Sequence, residues 1–262
     1  MPTDYFKAML EAGLGDVVDK ISYHPYRPVP EAGYRDTLAA WRQLLTVHAP
    51  RVELWQGENG CPSTPDSTGA LGGRPWNEYR QAKWVLRRTL FDRILGVELT
   101  SYFHLVDLMN YNWGEGPSGK ANTKGLLNGR DYTPKPAYFA YQAVCSLFDH
   151  ETKRRVEVDG HLRIDGELGS SPVVAGFVRN EAPLWCYWLP LPPEQDHLPR
   201  VATLDVRDDA LSLRNPVLVD LLTGNVYRLL HARRSDDGWS FPNVPVADHP
   251  LVLADRKALS IA

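Results

Sequence analysis

The period of the hydrophobic pattern changes near His150, and that change limits the fold more than any other feature. Before it, short apolar runs alternate with stretches whose apolar residues recur every three or four positions, the signature of strand followed by helix. Val17–His24 reads as a buried strand closed by Pro25, Pro28 and Pro30. Leu38, Trp41 and Leu45 then mark a helix from Tyr34 to His48, ended by Pro50. Val52–Trp55 is a second strand, and a Gly/Ser/Pro-rich loop leads from it to a long helix starting at about Pro75. Tyr79, Ala82, Leu86, Leu90 and Ile94 share one face of that helix. Val97–His104 is the third strand candidate, and Ala137, Tyr141, Val144 and Phe148 align on a further helix after Pro136. A short helix over Tyr5–Glu11 precedes all of this. Strands alternating with helices predict parallel βα units.

After His150 the helical period disappears and short β-rich runs separated by turns take over. The expected strands are Arg155–Val158, Val173–Val178, Leu184–Leu189, Val201–Val206, Pro216–Leu221, Val226–Leu230 and Pro250–Leu253. Turns are expected at Asp159-Gly160, Asp165-Gly166, Thr223-Gly224-Asn225 and Asp236-Asp237-Gly238. The two textures divide the chain into an α/β part, residues 1–150, and an all-β part, residues 151–262, read as a small antiparallel β-sandwich.

The bulk properties mainly exclude. Of 262 residues 43% are hydrophobic, enough to bury a real core, and a formal net charge of -3 with no Lys/Arg run argues against nucleic acid as a partner. Cys61, Cys145 and Cys186 are widely spaced, with no CxxC pair, so no disulfide framework and no zinc site is implied. No segment approaches the ~20 apolar residues of a membrane span, and Met1–Lys7 lacks the pattern of a secretory leader, so no membrane partner is expected and localisation stays open. There is no GxSxG elbow, no GxGxxG and no phosphate-binding Gly-Lys-Ser/Thr loop, and no cofactor is expected.

In βα architectures functional groups collect at the C-terminal ends of the strands. The three ends here carry His24-Pro25-Tyr26, Glu58-Asn59-Gly60, and Tyr102 with His104, Asp107 and Trp113. Gly57 and Gly60 let the backbone turn closely around the Glu58 carboxylate. Such a carboxylate suits the nucleophile of a retaining glycosidase, which attacks the anomeric carbon while a second carboxyl ~5–5.5 Å away protonates the leaving oxygen. It also suits a loop or turn carboxylate with no catalytic part, and His24 and His104 equally suit structural roles. A metal site from His24, Glu58, His104 and Asp107 is a further alternative that the spacing does not favour.

The order Asp19-Lys20-Ile21-Ser22-Tyr23-His24-Pro25-Tyr26-Arg27, then Leu54-Trp55-Gln56-Gly57-Glu58-Asn59-Gly60, then Tyr102-Phe103-His104, then Lys135-Pro136-Ala137-Tyr138, resembles the second half of a clan A glycoside hydrolase barrel. It looks closest to β-xylosidase/α-L-iduronidase-like and cellulase-like members. The strand-turn-strand run Pro216–Tyr227 and the run Val244–Leu253 are similar to the sandwich such enzymes append. The resemblance implies a partial (β/α)8 (TIM) barrel, roughly the last three βα units, followed by the β-sandwich. Glu58 would be the nucleophile, with His24 and Tyr26 lining the site and steadying it; Trp55, Asn59, Tyr102, His104 and Trp113 complete the set expected to touch a sugar. A complete barrel needs eight βα units, about 250 residues, so the acid/base glutamate of the fourth strand falls outside this sequence. The expectation is therefore a glycosidase fragment whose partners are a carbohydrate substrate and either another copy of itself or a missing N-terminal half-barrel. The alternative is a non-catalytic carbohydrate-binding or adaptor protein built from a barrel remnant.

Overall fold

A computed structural model describes residues 1–111, 120–164, 171–207, 213–235 and 238–259. The chain forms two compact units, one from residues 1–77 and 88–133, the other from residues 78–87 and 134–262. The helix α4 (Glu78–Ile94) gives its first part to the second unit and its last part to the first. Among the described residues no helix is long and apolar enough to cross a membrane.

The first unit begins with α1 (Thr3–Glu11) and the single turn α2 (Leu14–Val17), then β1 (Lys20–Tyr23), α3 (Tyr34–His48) and β2 (Glu53–Gln56). The strand expected from Val17 starts only at Lys20. The Arg51 guanidinium accounts for the difference: it donates to the carbonyls of Gly15 (3.2 Å) and Asp16 (2.8 Å), which satisfies that backbone without a sheet partner. β1 and β2 pair in parallel, Lys20 opposite Glu53 and Tyr23 opposite Gln56, with α3 as the crossover. The buried face of α3 is the one its sequence period marks, Tyr34, Leu38, Trp41 and Leu45. Tyr23 meets it edge-on, its ring 5.1 Å from that of Trp41, and Phe6 of α1 reaches the same indole at 6.0 Å.

The third strand expected over Val97–His104 reduces to one parallel bridge, Gln56 to Thr100. The Gln56 amide and carbonyl bond Leu99 O (2.9 Å) and Ser101 N (3.0 Å), and the next bond, Phe103 N to Asn59 O (2.7 Å), skips past Gly57 and Glu58. The glycine-flanked turn after β2 leaves no extended edge for a longer ladder.

The second unit adds α5 (Pro136–Leu147), with proline at its first position, where the missing N–H costs nothing. Then come β3 (Lys153–Arg154), β4 (His161–Ile164), β5 (Val173–Arg179), β6 (Ala182–Trp188), β7 (Arg200–Arg207), β8 (Pro216–Asp220), β9 (Asn225–Arg228), β10 (Arg233–Ser235), β11 (Gly238–Val246) and β12 (Leu251–Asp255). They make two antiparallel sheets, ordered β3-β5-β6-β12-β8-β9 and β10-β11-β7-β4. One buried cluster joins residues of both sheets, Trp185, Leu218, Leu251 and Leu253 from the larger, Leu204, Phe241 and Val246 from the smaller.

Sequence periodicity finds β5 to β9 and β12 and misses β3, β4, β10 and β11. Pro242 and Pro245 hide β11. They are tolerated because β10 covers only Gly238–Ser240, so among the described residues the proline-bearing half of β11 has a single strand neighbour, β7, across an irregularity between Phe241 and Val244. The strand expected at Arg155–Val158 is instead a 3-10 turn over Val156–Val158 after β3. The Val158 carbonyl accepts from Trp185 Nε1 (2.5 Å) and so is not free for a ladder. The turns expected at Asp165-Gly166 and Asp236-Asp237 lie outside the described residues.

Candidate functional site

Parallel pairing brings the C-terminal ends of β1 and β2 to one edge, so His24-Pro25-Tyr26 and Gly57-Glu58-Asn59-Gly60 emerge side by side. Two glycines permit this closeness. A Cβ on Gly57 would fall 1.8 Å from Ser22 Oγ, and one on Gly60 would fall 1.9 Å from the Phe103 carbonyl oxygen. Tyr26 donates its hydroxyl to Glu58 Oε1 at 2.7 Å, and His24 Nδ1 lies 3.7 Å from Oε2. Burial, and then the Glu58 carboxylate accepting its hydrogen bond, push the Tyr26 phenol far above its ordinary value, so Tyr26 stays a donor at any working pH.

A buried polar frame fixes the loop that carries His24 and Tyr26. Arg27 donates to Ala32 O (2.9 Å) and Thr37 Oγ1 (3.0 Å), and Arg88 donates to Pro30 O (3.2 Å). The Arg88 guanidinium lies 3.9 Å over the Tyr34 ring and pairs with Asp92 at 2.8 Å. The Tyr34 hydroxyl meets that of Tyr23, the last residue of β1, at 2.6 Å. Burial raises the Asp92 carboxyl above its usual range despite Arg88. Exchanging one partner of such a frame leaves another buried and unpaired, so the loop geometry is strongly specified.

Lys124 is the residue sequence reading passes over. It is buried at 1% exposure. Its ammonium donates to Thr68 O and Asn122 Oδ1, both at 3.2 Å, and lies 5.9 Å from the centre of the Tyr26 ring. Burial lowers its pKa from 10.5 to about 8, with Cys61 and Glu58 opposing the shift. A lysine alone in a loop has no period and no motif, so only the closure of residues 120–127 back onto the β2 end reveals it.

The other expected residues scatter. Asn59 is buried, and neither its amide oxygen nor its nitrogen has a hydrogen-bond partner among the described residues. The Tyr102 hydroxyl is spent on the backbone, donating to Lys124 O at 2.8 Å. His104 Nδ1 sits 2.5 Å from Val106 O, and burial lowers its pKa, partly offset by that carbonyl. Trp55 belongs to a different cluster on the sheet face away from α3. Its Nε1 donates to Glu98 Oε2 (2.7 Å), and Lys20, paired with both Glu53 and Glu98, lies 5.4 Å from its ring centre. Trp113 lies outside the described residues. The alternative metal set does not assemble: no group of three or more His, Cys, Asp or Glu among the described residues is placed to hold a metal ion, and Asp107 Oδ1 accepts from Gly125 N at 2.8 Å. What the edge offers chemically is one carboxylate, half-open to solvent, oriented by a phenol and faced by an imidazole, with a buried ammonium behind the phenol.

No protein-family model matches the sequence, and no curated protein matches it. Solved structures do match. A family 39 glycoside hydrolase from the gut symbiont Bacteroides cellulosilyticus WH2 aligns over 95% of this chain and 46% of its own, at 18% identity and a TM-score of 0.59. The GH51 arabinofuranosidase from Xanthomonas axonopodis pv. citri aligns over 96% of this chain and 55% of its own, at 12% identity and a TM-score of 0.54. Both are clan A glycoside hydrolases, and at these identities the likeness is one of fold. The chain spans about half the length of each of these two structures.

Proposed function

We propose that this chain is the C-terminal part of a retaining glycoside hydrolase, residues 1–150 forming the last βα units of a (β/α)8 barrel and residues 151–262 an appended β-sandwich. Glu58 is its nucleophile. The observation that carries the reading is the Tyr26 hydrogen bond to Glu58 Oε1 at a parallel strand end. It fixes the rotation of the carboxylate and leaves Oε2 to attack the anomeric carbon. The attack forms an ester between Glu58 and the sugar and expels the leaving oxygen, which a second carboxyl protonates. That carboxyl comes from the rest of a barrel, on the same polypeptide or another, and His24 and Asn59 contact the sugar. A second copy of the chain or a missing half-barrel would then cover β1, which has no described strand neighbour besides β2.

A 2-deoxy-2-fluoro glycoside with a dinitrophenolate leaving group isolates the first step, because that leaving group departs without protonation and Glu58 alone suffices. Intact-mass spectrometry across a panel of such sugars should show one added glycosyl group, mapping to the Glu58 peptide and absent in Glu58→Gln. Tyr26→Phe should slow labelling roughly 10²-fold, the scale of one preorganised donor. A folded wild-type protein left unlabelled by the whole panel, yet binding glycans equally well as Glu58→Gln, would replace this reading with that of a non-catalytic carbohydrate-binding protein.

A further inference from the structure

The second unit contains a cavity of about 440 Å³ that the Glu58 chemistry does not use. It opens between the end of β8 and β9 on one side and the proline segment of β11 on the other, the stretch of β11 that β10 leaves uncovered. Its floor is apolar: Leu218 and Leu251 belong to the core between the sheets, and Leu229 packs against that core. At its mouth Tyr227 and Leu230 are 48% and 77% exposed, more apolar surface than the sheets need for their own packing.

One wall is polar and built. His249, 8% exposed, faces the cavity with Nε2 3.3 Å from Asp220 Oδ1 and Nδ1 3.8 Å from Asp248 Oδ1, and neither ring nitrogen makes a well-aligned hydrogen bond. Burial alone would lower the imidazole pKa, but the two aspartates raise it. Asp248 is also held by Lys83 at 2.5 Å, and Asp220 accepts from Leu222 N and Thr223 Oγ1, both at 2.9 Å. The other lining groups able to carry charge, Arg228 and His231, are exposed to solvent. A neutral hydroxyl fits this wall, since it can accept from an imidazole N–H of His249 and donate to the Asp220 carboxylate.

We propose that this cavity is a second ligand site, separate from the Glu58 edge, which takes a small neutral aromatic molecule bearing a hydroxyl group. The ring faces lie against Leu218, Leu229 and Leu251, the hydroxyl points to His249 and Asp220, and Tyr227 covers the entrance. Apolar walls with a few convergent polar groups are the usual composition of small-molecule pockets, and the volume suits a single substituted ring.

The test uses 4-methylphenol, 4-methylanisole and methyl β-glucoside as probes, followed by amide chemical-shift perturbation in the full chain. 4-Methylphenol should bind saturably with a Kd on the order of 1 mM or below, its shifts clustering on Leu218, Leu229, His249 and Leu251. The methyl ether, unable to donate, should bind about tenfold more weakly, and the glucoside should not compete. Leu229→Trp fills the cavity and should abolish binding; Tyr227→Ala removes an exposed rim group that the core does not need and should weaken it severalfold. Glu58→Gln should bind as wild type does. Shifts that map elsewhere, equal affinity for phenol and ether, or binding indifferent to both cavity variants would overturn the proposal.

Discussion

Three lysines are buried at 1% exposure, Lys124 in the first unit and Lys83 and Lys135 in the second, and the protein treats Lys83 and Lys124 in opposite ways. Lys83, on α4 in the second unit, ends 2.5 Å from Asp248 and forms a closed ion pair. Lys124, in the first unit, makes no ion pair among the described residues and relies on a backbone carbonyl, an amide oxygen and the face of Tyr26. The β-rich unit uses a buried charge as a fastener. The βα unit holds one whose desolvation is only partly offset, behind the phenol that orients Glu58. A buried charge whose desolvation is only partly offset costs stability in the unit that carries it.

The comparison breaks most visibly at Asp248. Asp248→Ala strands the Lys83 ammonium and should lower stability by about 3–5 kcal/mol in urea denaturation, whereas Lys83→Met with Asp248→Leu should come within about 1 kcal/mol of wild type. A single variant that costs under about 1 kcal/mol would dissolve the contrast.

Lys124 supplies the next effect, through pH. Its folded pKa of about 8 lies below the ordinary 10.5. The unfolded chain therefore binds the extra proton between these values, and stability rises with pH across that window. Measured against Lys124→Met, which removes the titration, wild type should gain roughly 3 kcal/mol between pH 8 and 10.5, taking about 1.4 kcal/mol per pKa unit. Parallel stability curves for the two proteins across that window would show that the charge is already compensated.

The second unit should show a dependence of the same sign at acid pH, stability falling as the pH falls. Arg179, bonded to Asp149 at 2.8 Å, holds that carboxyl down from 3.8 to about 2. Its contribution is complete above about pH 4 and lost as pH falls towards 2, and screening at a partly exposed pair limits it to about 1 kcal/mol. Asp149→Asn should flatten this acid limb in thermal unfolding and leave the alkaline side unchanged. Smallest of all, Glu11→Gln breaks only the solvent-exposed pair with Lys7, and a loss beyond about 0.5 kcal/mol would contradict its position on the open side of α1.

The helices are legible in the sequence because their apolar residues recur at the helical period and their ends are marked: Leu38, Trp41 and Leu45 before Pro50, and Pro136 opening α5. Most of the larger sheet is legible for the complementary reason, uninterrupted β-branched and aromatic runs between turn residues. β11 is not, since Pro242 and Pro245 are excluded from a strand by any local rule and admitted only where one neighbour is absent. At the site, His24, Tyr26 and Glu58 are legible as groups following two apolar runs, but their meeting depends on the parallel register of β1 with β2.

What the sequence determined by itself is the alternation of period, and with it the order of helical and β-rich segments along the chain, because side-chain spacing along the chain is a local property. What only the tertiary structure decided is which polar groups share a dielectric environment. Lys124 lies 66 residues beyond Glu58 in a loop without pattern, and His249 lies 29 beyond Asp220. Burial and charge pairing act through space, so the residues that carry the electrostatics of this protein became visible only once the chain had closed on itself.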